Sequence, residues 1–216
     1  MAETGISLTE RAYTALKERI QNCVYMPGDS LGEKPLCDEL ECGRTPVREA
    51  LLRLSGEGLI EIYPRRGLRV APFTRTGISE IYQIRKLMEP AVCGKYFLRF
   101  RKSDLLDFDR RFEQVDRTDD RAYYSLDTAF HQFLIDAAGN RTLSTFFTGL
   151  MAVQYRFGVY SARLGTAVKH DYYTEHHEIL EALLAEDGAR IERALVAHTN
   201  YSEIIALKTL ETAGVE

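Results

Sequence analysis

The chain has 216 residues, of which 45% are hydrophobic and 28% charged, and its formal net charge at pH 7 is −4. No apolar run is long enough for a membrane span, and the first residues lack the pattern of a secretory signal, so we expect a cytoplasmic protein without membrane contact. The four cysteines show no CxxC spacing, which argues against a disulfide framework and a cysteine zinc site. The negative net charge argues against indiscriminate polyanion binding but leaves room for a local basic patch.

Residues 1–73 are predicted to form three helices and a β-hairpin. Leu8 to Gln21 has apolar residues four positions apart, and the turn residues Met26–Asp29 end this first helix. Gly32 to Leu40 is a second, short helix. The three residues from Glu41 to Gly43 then form a tight turn into a third helix. Two short helices joined in this way are a helix-turn-helix.

The third helix combines a buried stripe with a basic N-terminus. The stripe occupies positions i, i+3, i+4 and i+7, which are Val47, Ala50, Leu51 and Leu54. Arg44, Thr45 and Arg48 lie off this stripe in the first turn, where free backbone NH groups attract anions. By itself the pattern also fits an ordinary amphipathic helix with solvated arginines.

A β-hairpin is predicted after the third helix. Leu59–Tyr63 and Leu68–Ala71 have strand composition, and the turn Pro64–Gly67 carries two arginines at the tip. Between positions 44 and 69 the sequence has six arginines and three glutamates, so this segment has a net positive charge within an acidic chain. Following a helix-turn-helix, such a hairpin is a wing that reaches a DNA groove.

Residues 76–216 show only helical periodicity. We predict an all-helical bundle of six helices, which are Gly77–Phe100, Ser103–Val115, Asp120–Ala138, Leu143–Leu164, Tyr173–Leu184 and Gly188–Leu210. Ser103 and Asp187 are predicted N-caps, and Pro90 is predicted to kink the first of these helices. Asn140 is interpreted as part of a helix stop rather than as a metal ligand.

The five histidines all lie in the helical region. Asp127 and His131 are four residues apart and therefore project from one helix face. His176 and His198 lie on the last two helices. If these helices pack as an antiparallel pair, the two histidines lie at the same height along the helix axes. One carboxylate and three imidazoles suit Zn²⁺, Ni²⁺, Mn²⁺ or Fe²⁺ and leave positions for water or a ligand. A surface hydrogen bond between Asp127 and His131 is the alternative. Two histidines are assigned no ligand role: His170 and His177.

Several motifs occur together in the order expected for one family. They are Pro27-Gly28, Arg44-Thr45-Pro46-Val47-Arg48-Glu49-Ala50-Leu51, Glu57-Gly58-Leu59, Arg66-Gly67, Tyr82-x2-Arg85-x3-Glu89-Pro90 and the Asp127, His131, His176, His198 set. With these motifs the chain, from about Leu8 to about His198, resembles GntR-type winged-helix transcription regulators of the FadR-like subgroup with an FCD ligand-binding domain. The resemblance implies a mainly α protein with a DNA-binding domain at 1–73 and an effector-binding and dimerisation domain at 76–216.

The resemblance also implies roles in DNA binding. Arg44 and Arg48 should contact base edges or phosphates, Thr45 a phosphate, and Lys34 the DNA backbone. Two wing residues should enter the minor groove: Arg66 and Gly67. A homodimer would bind a two-fold symmetric operator. The chain departs from the family pattern at Gly32, Pro35, Glu41 and Gly43, so we expect an unusual operator or affinity.

In the helical domain, the resemblance implies a divalent metal ion at the Asp127, His131, His176 and His198 set. A small carboxylate effector would bind its open positions, with Arg85 as counter-charge and with Tyr82 and Arg156 as weaker candidates. We therefore expect a ligand-responsive repressor rather than an enzyme. The alternatives are a metal-dependent enzyme acting on a small carboxylate and a regulator whose metal is purely structural.

Overall fold

The computed structural model describes residues 6–63, 67–165 and 172–215, with the side chain of residue 172 outside the description. The chain divides into two compact units, Met1–Pro72 and Phe73–Glu216. The described residues form nine α-helices and one small three-stranded sheet, as the mainly α prediction required. None of these helices is both long and apolar enough to cross a membrane.

The first unit contains three helices and three short strands. They are α1 (Leu8–Gln21), β1 (Ser30–Leu31), α2 (Glu33–Leu40), α3 (Arg44–Gly56), β2 (Ile60–Tyr63) and β3 (Gly67–Val70). Ser7 caps α1 by accepting a hydrogen bond from the Glu10 amide. The sheet is antiparallel with the order β1-β3-β2, and Tyr63 is paired with Gly67 next to the hairpin turn.

The predicted stripe of α3 is the core of this unit. Val47, Ala50 and Leu54 are each 0% exposed and Leu51 is 2% exposed. They pack against apolar residues of α1 and α2, so the opposite side of α3 faces solvent. Burial of four aliphatic side chains stabilises this arrangement through the hydrophobic effect. The helix orientation that exposes Arg44 and Arg48 therefore follows from core packing.

Six helices and a short 3₁₀ turn make up the described part of the second unit. The helices are α4 (Arg75–Tyr96), α5 (Lys102–Gln114), α6 (Asp120–Asp136), α7 (Arg141–Arg163), α8 (Tyr172–Leu184) and α9 (Gly188–Thr212), and the 3₁₀ turn is Phe97–Arg99. The helices pack pairwise, α4 against α9, α6 against α7 and α8 against α9. Aromatic and aliphatic residues such as Phe112, Phe130 and Leu195 form the buried core.

Three local expectations differ from the structure. Strand β1 was not predicted, because two residues without β-branched side chains carry no periodic signal. Ser103 is not a cap: α5 begins one residue earlier with Arg101 at the N-cap, and the Ser103 hydroxyl donates to Asp104 instead. The helix predicted to reach Phe100 ends at Tyr96. Pro90 lies inside α4, and the kink there stays a prediction.

Other helix ends agree with the capping signals. Asp187 caps α9 by accepting from the Arg190 amide, as predicted. Asn140 follows Gly139, whose φ of +64° ends the preceding turn, and its side chain caps the next helix, α7. Its amide oxygen is thus used by the Leu143 NH group, which agrees with a structural role for Asn140.

Candidate metal centre and exposed recognition helix

The four residues singled out as metal ligands come together inside the helical unit. Asp127 and His131 lie one turn apart on α6, His176 lies on α8 and His198 on α9. All four are buried, and one ligand atom from each lies within 4.8 Å of the other three. We refer to Asp127, His131, His176 and His198 as the histidine cluster.

All three imidazoles direct their Nε2 atoms towards the centre of the histidine cluster. His176 Nε2 is 3.1 Å from Asp127 Oδ1, and His131 Nε2 is 3.8 Å from the same oxygen. His198 Nε2 is 3.2 Å from His131 Nε2. Three nitrogens and one carboxylate oxygen that converge in this way can chelate one cation without a change of helix positions.

Carboxylates outside the cluster orient two of the imidazoles. Glu89 Oε2 is 2.8 Å from His131 Nδ1, and Glu175 Oε2 is 3.0 Å from His198 Nδ1. A hydrogen bond from Nδ1–H to a carboxylate leaves the Nε2 lone pair free to bind a metal. Glu175 was missed at the sequence level, because the residue it contacts is on another helix and no spacing rule links the two.

Aromatic packing holds the third imidazole. The ring of His176 stacks on Phe112 of α5, with a centroid distance of 4.3 Å and an interplanar angle of 10°. Phe130 approaches the same imidazole edge-on at 5.6 Å. The His176 ring is therefore fixed between helices although it lies on α8 beside the exposed His177.

The electrostatics of the cluster favour an ionised Asp127 and neutral imidazoles at His131 and His198. Burial alone would raise the pKa of Asp127, but its hydrogen bond with His176 and the charges of His131 and Arg85 hold that pKa well below its usual range. Burial is the largest cause that lowers the pKa of His198 well below its ordinary value, and the neighbouring histidines and Arg85 lower this pKa further. Burial and then the Arg85 charge also lower the pKa of His131. These are the protonation states that bind metal ions.

Arg85 lies directly beside the histidine cluster. It is 1% exposed, its Nε donates to Glu89 Oε1 over 2.6 Å, and its Nη2 is 2.9 Å from His131 Nε2. Burial would raise the pKa of Glu89, but Arg85 and His131 lower it to about 2. Glu89 therefore contacts both the arginine and a cluster histidine, and it holds the guanidinium next to any ligand of the cluster.

A small cavity of about 40 Å³ adjoins the cluster. Its walls include Tyr82 and Arg85 from α4, Asp127 from α6 and Gln154 from α7. We refer to it as the bundle cavity. Two of the three predicted effector-binding residues thus lie at one cavity. The third does not line it: the guanidinium of Arg156 lies 4.8 Å from the ring centroid of Phe73.

The remaining histidine predictions agree with the structure where it can be compared. His177 Nδ1 is 2.7 Å from Asp109 Oδ1 at a partly exposed position, away from the histidine cluster. The hydrogen bond with Asp109 raises the pKa of His177. His170 lies outside the described residues.

In the first unit, the predicted DNA-contacting residues on helices are exposed and lie near the N-terminal ends of α2 and α3. Arg44 and Thr45 in the first turn of α3 and Lys34 in the first turn of α2 are exposed. Arg48 is also exposed, but its Nε lies 3.0 Å from Glu33 Oε1. This ion pair was not predicted, because it joins two helices.

The wing is described only in part. Arg66 lies outside the described residues, so its prediction is not compared with the structure. Gly67 begins β3, is exposed and has a φ of +99°, a conformation that strains any residue with a side chain. An added Cβ there would meet nothing within 4 Å among the described residues, so the glycine is required by its backbone conformation and not by lack of space.

Comparison with known proteins identifies the two units. The profile described as "Bacterial regulatory proteins, gntR family" matches residues 8–70, and that of the FCD domain matches residues 80–201. The HTH-type transcriptional repressor RspR of Escherichia coli K12 is 27% identical over 195 residues, which is 88% of this chain and 85% of that protein. The gluconate operon transcriptional repressor of Bacillus subtilis 168 is 28% identical over 215 residues, or 94% and 84%.

Solved structures agree on the fold. E. coli McbR/YncC covers 94% of this chain and 99% of its own length, with a TM-score of 0.73 at 21% identity. A GntR transcriptional regulator from Rhodococcus sp. RHA1 has a TM-score of 0.78 at 22% identity, with coverage of 94% and 99%. The relatives are DNA-binding regulators rather than enzymes. The chain therefore belongs to the GntR family of transcription regulators and carries an FCD domain.

Proposed function

We propose that this regulator is a repressor that senses a small carboxylate through a divalent metal ion held by the histidine cluster. The observation that carries the proposal is the convergence of one carboxylate and three Nε2 atoms, with two Nδ1 atoms on outer carboxylates. Burial of an Asp/His3 group without a cation leaves polar atoms crowded together, which costs free energy. The relatives named above as repressors support repression as the outcome.

The donor set fits a first-row divalent metal. Imidazole and carboxylate ligands accept Zn²⁺, Ni²⁺, Mn²⁺ and Fe²⁺, and four protein ligands leave open positions when the ion is six-coordinate. The bound ion would supply a positive centre that attracts a carboxylate. The outer residues Glu89 and Glu175 hold the imidazoles in the orientation that such an ion requires.

Arg85 is the second positive group for the effector. It is buried, so a carboxylate that reached it would exchange hydration for charge-assisted hydrogen bonds in a medium of low dielectric constant. Glu89 orients its guanidinium through the Nε atom, and Nη2 lies 2.9 Å from His131 Nε2, so a ligand that bound at the cluster would meet Arg85 there. Tyr82 lines the same cavity and is assigned to effector binding as well. Arg156 is a weaker candidate, since it does not line this cavity.

The basic surface of the first unit is assigned to operator DNA. Arg44 and Arg48 would contact base edges or phosphates, Thr45 with the α3 N-terminus would bind a phosphate, and Lys34 would contact the backbone. The wing would add two residues in the minor groove: Arg66 and Gly67. One such unit makes few contacts, and a homodimer would double them on a two-fold symmetric operator.

Effector binding would act by changing how the two DNA-binding units of a dimer fit successive half-sites. Thermodynamic linkage requires that the two DNA-fit states differ in their affinity for the acid. The acid would then lower operator affinity by the same factor as operator DNA lowers acid affinity. This mechanism assigns the metal a part in sensing, in contrast to a metal that is only structural.

The test compares metal content, acid binding and DNA binding in the same variants. Wild-type protein should contain roughly one metal ion per chain, and His131→Ala and His198→Ala should lose it. His177→Ala is the matched control, since His177 is a histidine of the same unit outside the cluster. In wild type, a panel of small carboxylates should raise the thermal midpoint, and both cluster variants should lose that response.

DNA binding separates the alternatives. Fluorescence anisotropy with a DNA fragment selected by the protein from a random library should show release on addition of the stabilising acid. If protein from which the metal has been removed still binds this DNA and still responds to the acid, the result would contradict a sensing role for the metal and favour a structural one. Turnover of the acid by metal-loaded protein would favour an enzyme. A wild-type protein without metal would remove the basis of the proposal.

A further inference from the structure

The bundle cavity contains a polar pair that a plain carboxylate would not use. Gln154 and Tyr82 are 8% and 2% exposed and come from α7 and α4. Gln154 Nε2 donates a hydrogen bond to the Tyr82 hydroxyl oxygen over 2.9 Å. We refer to these two residues as the Tyr82–Gln154 pair.

One acceptor and one donor of this pair remain for a ligand. Gln154 Oε1 is buried and has no hydrogen-bond partner among the described residues. The Tyr82 oxygen accepts the bond from Gln154, so its own O–H is available to donate. Exchanging the amide oxygen and nitrogen of Gln154 reverses the direction of the bond but again leaves one donor and one acceptor. The hydrogen-bonding character of the pair therefore does not depend on the amide orientation.

A buried acceptor without a partner is costly, and nearly all such atoms in native proteins have one. A single group that satisfies both members of the Tyr82–Gln154 pair must both donate and accept. A carboxylate only accepts, an ammonium only donates and an alkyl group does neither, whereas an alcohol hydroxyl does both. An alcohol is therefore the simplest small-molecule group that matches this wall of the cavity.

The position of the pair relates the alcohol to the carboxylate site. Tyr82 and Arg85 are three residues apart on α4, which places them side by side on one helix face. The Arg85 guanidinium carbon is 5.4 Å from the centroid of the Tyr82 ring. The cavity volume of about 40 Å³ accommodates about three water-sized groups, since one water requires ~10–15 Å³ of such space. Two carboxylate oxygens and one nearby hydroxyl meet both conditions.

We propose that the effector is a hydroxycarboxylic acid, whose carboxylate binds at Arg85 and the histidine cluster and whose hydroxyl binds the Tyr82–Gln154 pair. This inference rests on the proposed sensing function and adds the chemical class of the effector. More polar side chains lie on the same cavity wall, where Ser161 and Thr209 are hydrogen-bonded to each other over 3.3 Å. They add polar surface to the lining of the cavity.

The test uses matched acids that differ by one hydroxyl. Metal-loaded full-length protein is titrated calorimetrically with pairs of equal carbon number from two to four carbons, which are glycolate and acetate, lactate and propionate, and 2-hydroxybutyrate and butyrate. In the pair that binds best, the hydroxy acid should bind at least about tenfold more tightly, because a site built to bond a hydroxyl leaves polar groups unpaired when the hydroxyl is missing.

Two variants connect this preference to the pair. Gln154→Met and Tyr82→Phe keep the side-chain volume and should reduce the preference for the hydroxy acid to less than about threefold, with little change for the deoxy acid. Gln132→Met is the matched control, since Gln132 bonds Ser144 and does not line the cavity. Circular dichroism and metal content of each variant show whether the fold and the cluster are intact.

The outcomes are distinguishable. Equal binding of hydroxy and deoxy acids to wild type would overturn the hydroxy-acid inference and leave the proposed function standing. A preference that persists in Gln154→Met and Tyr82→Phe would also overturn it, because the hydroxyl would then be recognised elsewhere. The absence of binding by every acid to metal-loaded protein would overturn the proposed function and this inference with it.

Discussion

Replacing Glu89 by Gln tests the buried charge network beside the histidine cluster. The carboxylate contacts Arg85 Nε at 2.6 Å and His131 Nδ1 at 2.8 Å, and it is 0% exposed. A glutamine keeps the shape and one acceptor but removes the negative charge. Arg85 is then a buried cation without its ionised partner, which is the situation that destabilises proteins most strongly among ion-pair changes.

The magnitude follows from the pKa of Glu89. Burial would raise that pKa, yet Arg85 and His131 lower it from an ordinary 4.5 to about 2. Each pKa unit corresponds to ~1.4 kcal/mol, so the surroundings favour the ionised over the protonated carboxyl by roughly 3 kcal/mol. Removal of one partner of a buried pair typically costs about 3–5 kcal/mol. We therefore expect Glu89→Gln to lower the free energy of unfolding of the helical unit by about 3 kcal/mol.

The assay is urea unfolding followed by the helical circular dichroism signal, with chelator present so that metal binding does not contribute. Glu178→Gln is the matched control: Glu178 pairs with Arg190 at a side-chain exposure of 49%, and exposed pairs contribute about 0–1 kcal/mol. A Glu89→Gln protein that unfolds within about 0.5 kcal/mol of wild type would refute the account of Glu89 as the essential partner of Arg85.

Three further substitutions test packing and surface charge. Gly158→Ala places a Cβ 2.4 Å from the ring of Tyr124, so the ring must move at the cavity wall; we expect a loss of about 1–3 kcal/mol and weaker acid binding. Gly149→Ala on the same helix meets nothing within 4 Å and should instead stabilise the protein by ~0.5–1 kcal/mol, with both glycine variants measured by the same urea unfolding. Glu33→Gln releases Arg48 and should strengthen operator binding about two- to fivefold in anisotropy titrations, whereas unchanged binding would contradict a DNA role for Arg48.

The helices were predictable because their signals are local. Apolar periodicity defined the buried stripe of α3, and an Asp at position 187 marked the start of α9 through its own side-chain bond to a backbone amide. Strand β1 had no such signal, because a two-residue strand is defined by its partner β3. Ser103 failed as a cap because the helix already begins at Lys102, so Ser103 lies inside the first turn and its hydroxyl donates to Asp104.

The site was predictable only in part. Spacing placed Asp127 and His131 on one face, and the antiparallel pairing of the last two helices was enough to expect His176 and His198 beside them. The contact of His198 with Glu175 depends on how α8 and α9 are rotated about their axes relative to each other, and the spacing of residues in the sequence does not predict that rotation. Whether an arginine faces the cavity or, like Arg156, an aromatic ring is likewise decided by packing between helices.

The histidine cluster draws its members from three helices, and His131 and His198 are 67 residues apart in the chain. An ion bound there would act as a cross-link that closes a long loop, as a disulfide does in an oxidising compartment, and would reduce the entropy gained on unfolding. Unlike a disulfide, this cross-link exists only while free metal is available. The lifetime of the folded regulator would then follow the metal supply of the cell, so that metal shortage would deplete the regulator through unfolding and proteolysis before any acid is sensed.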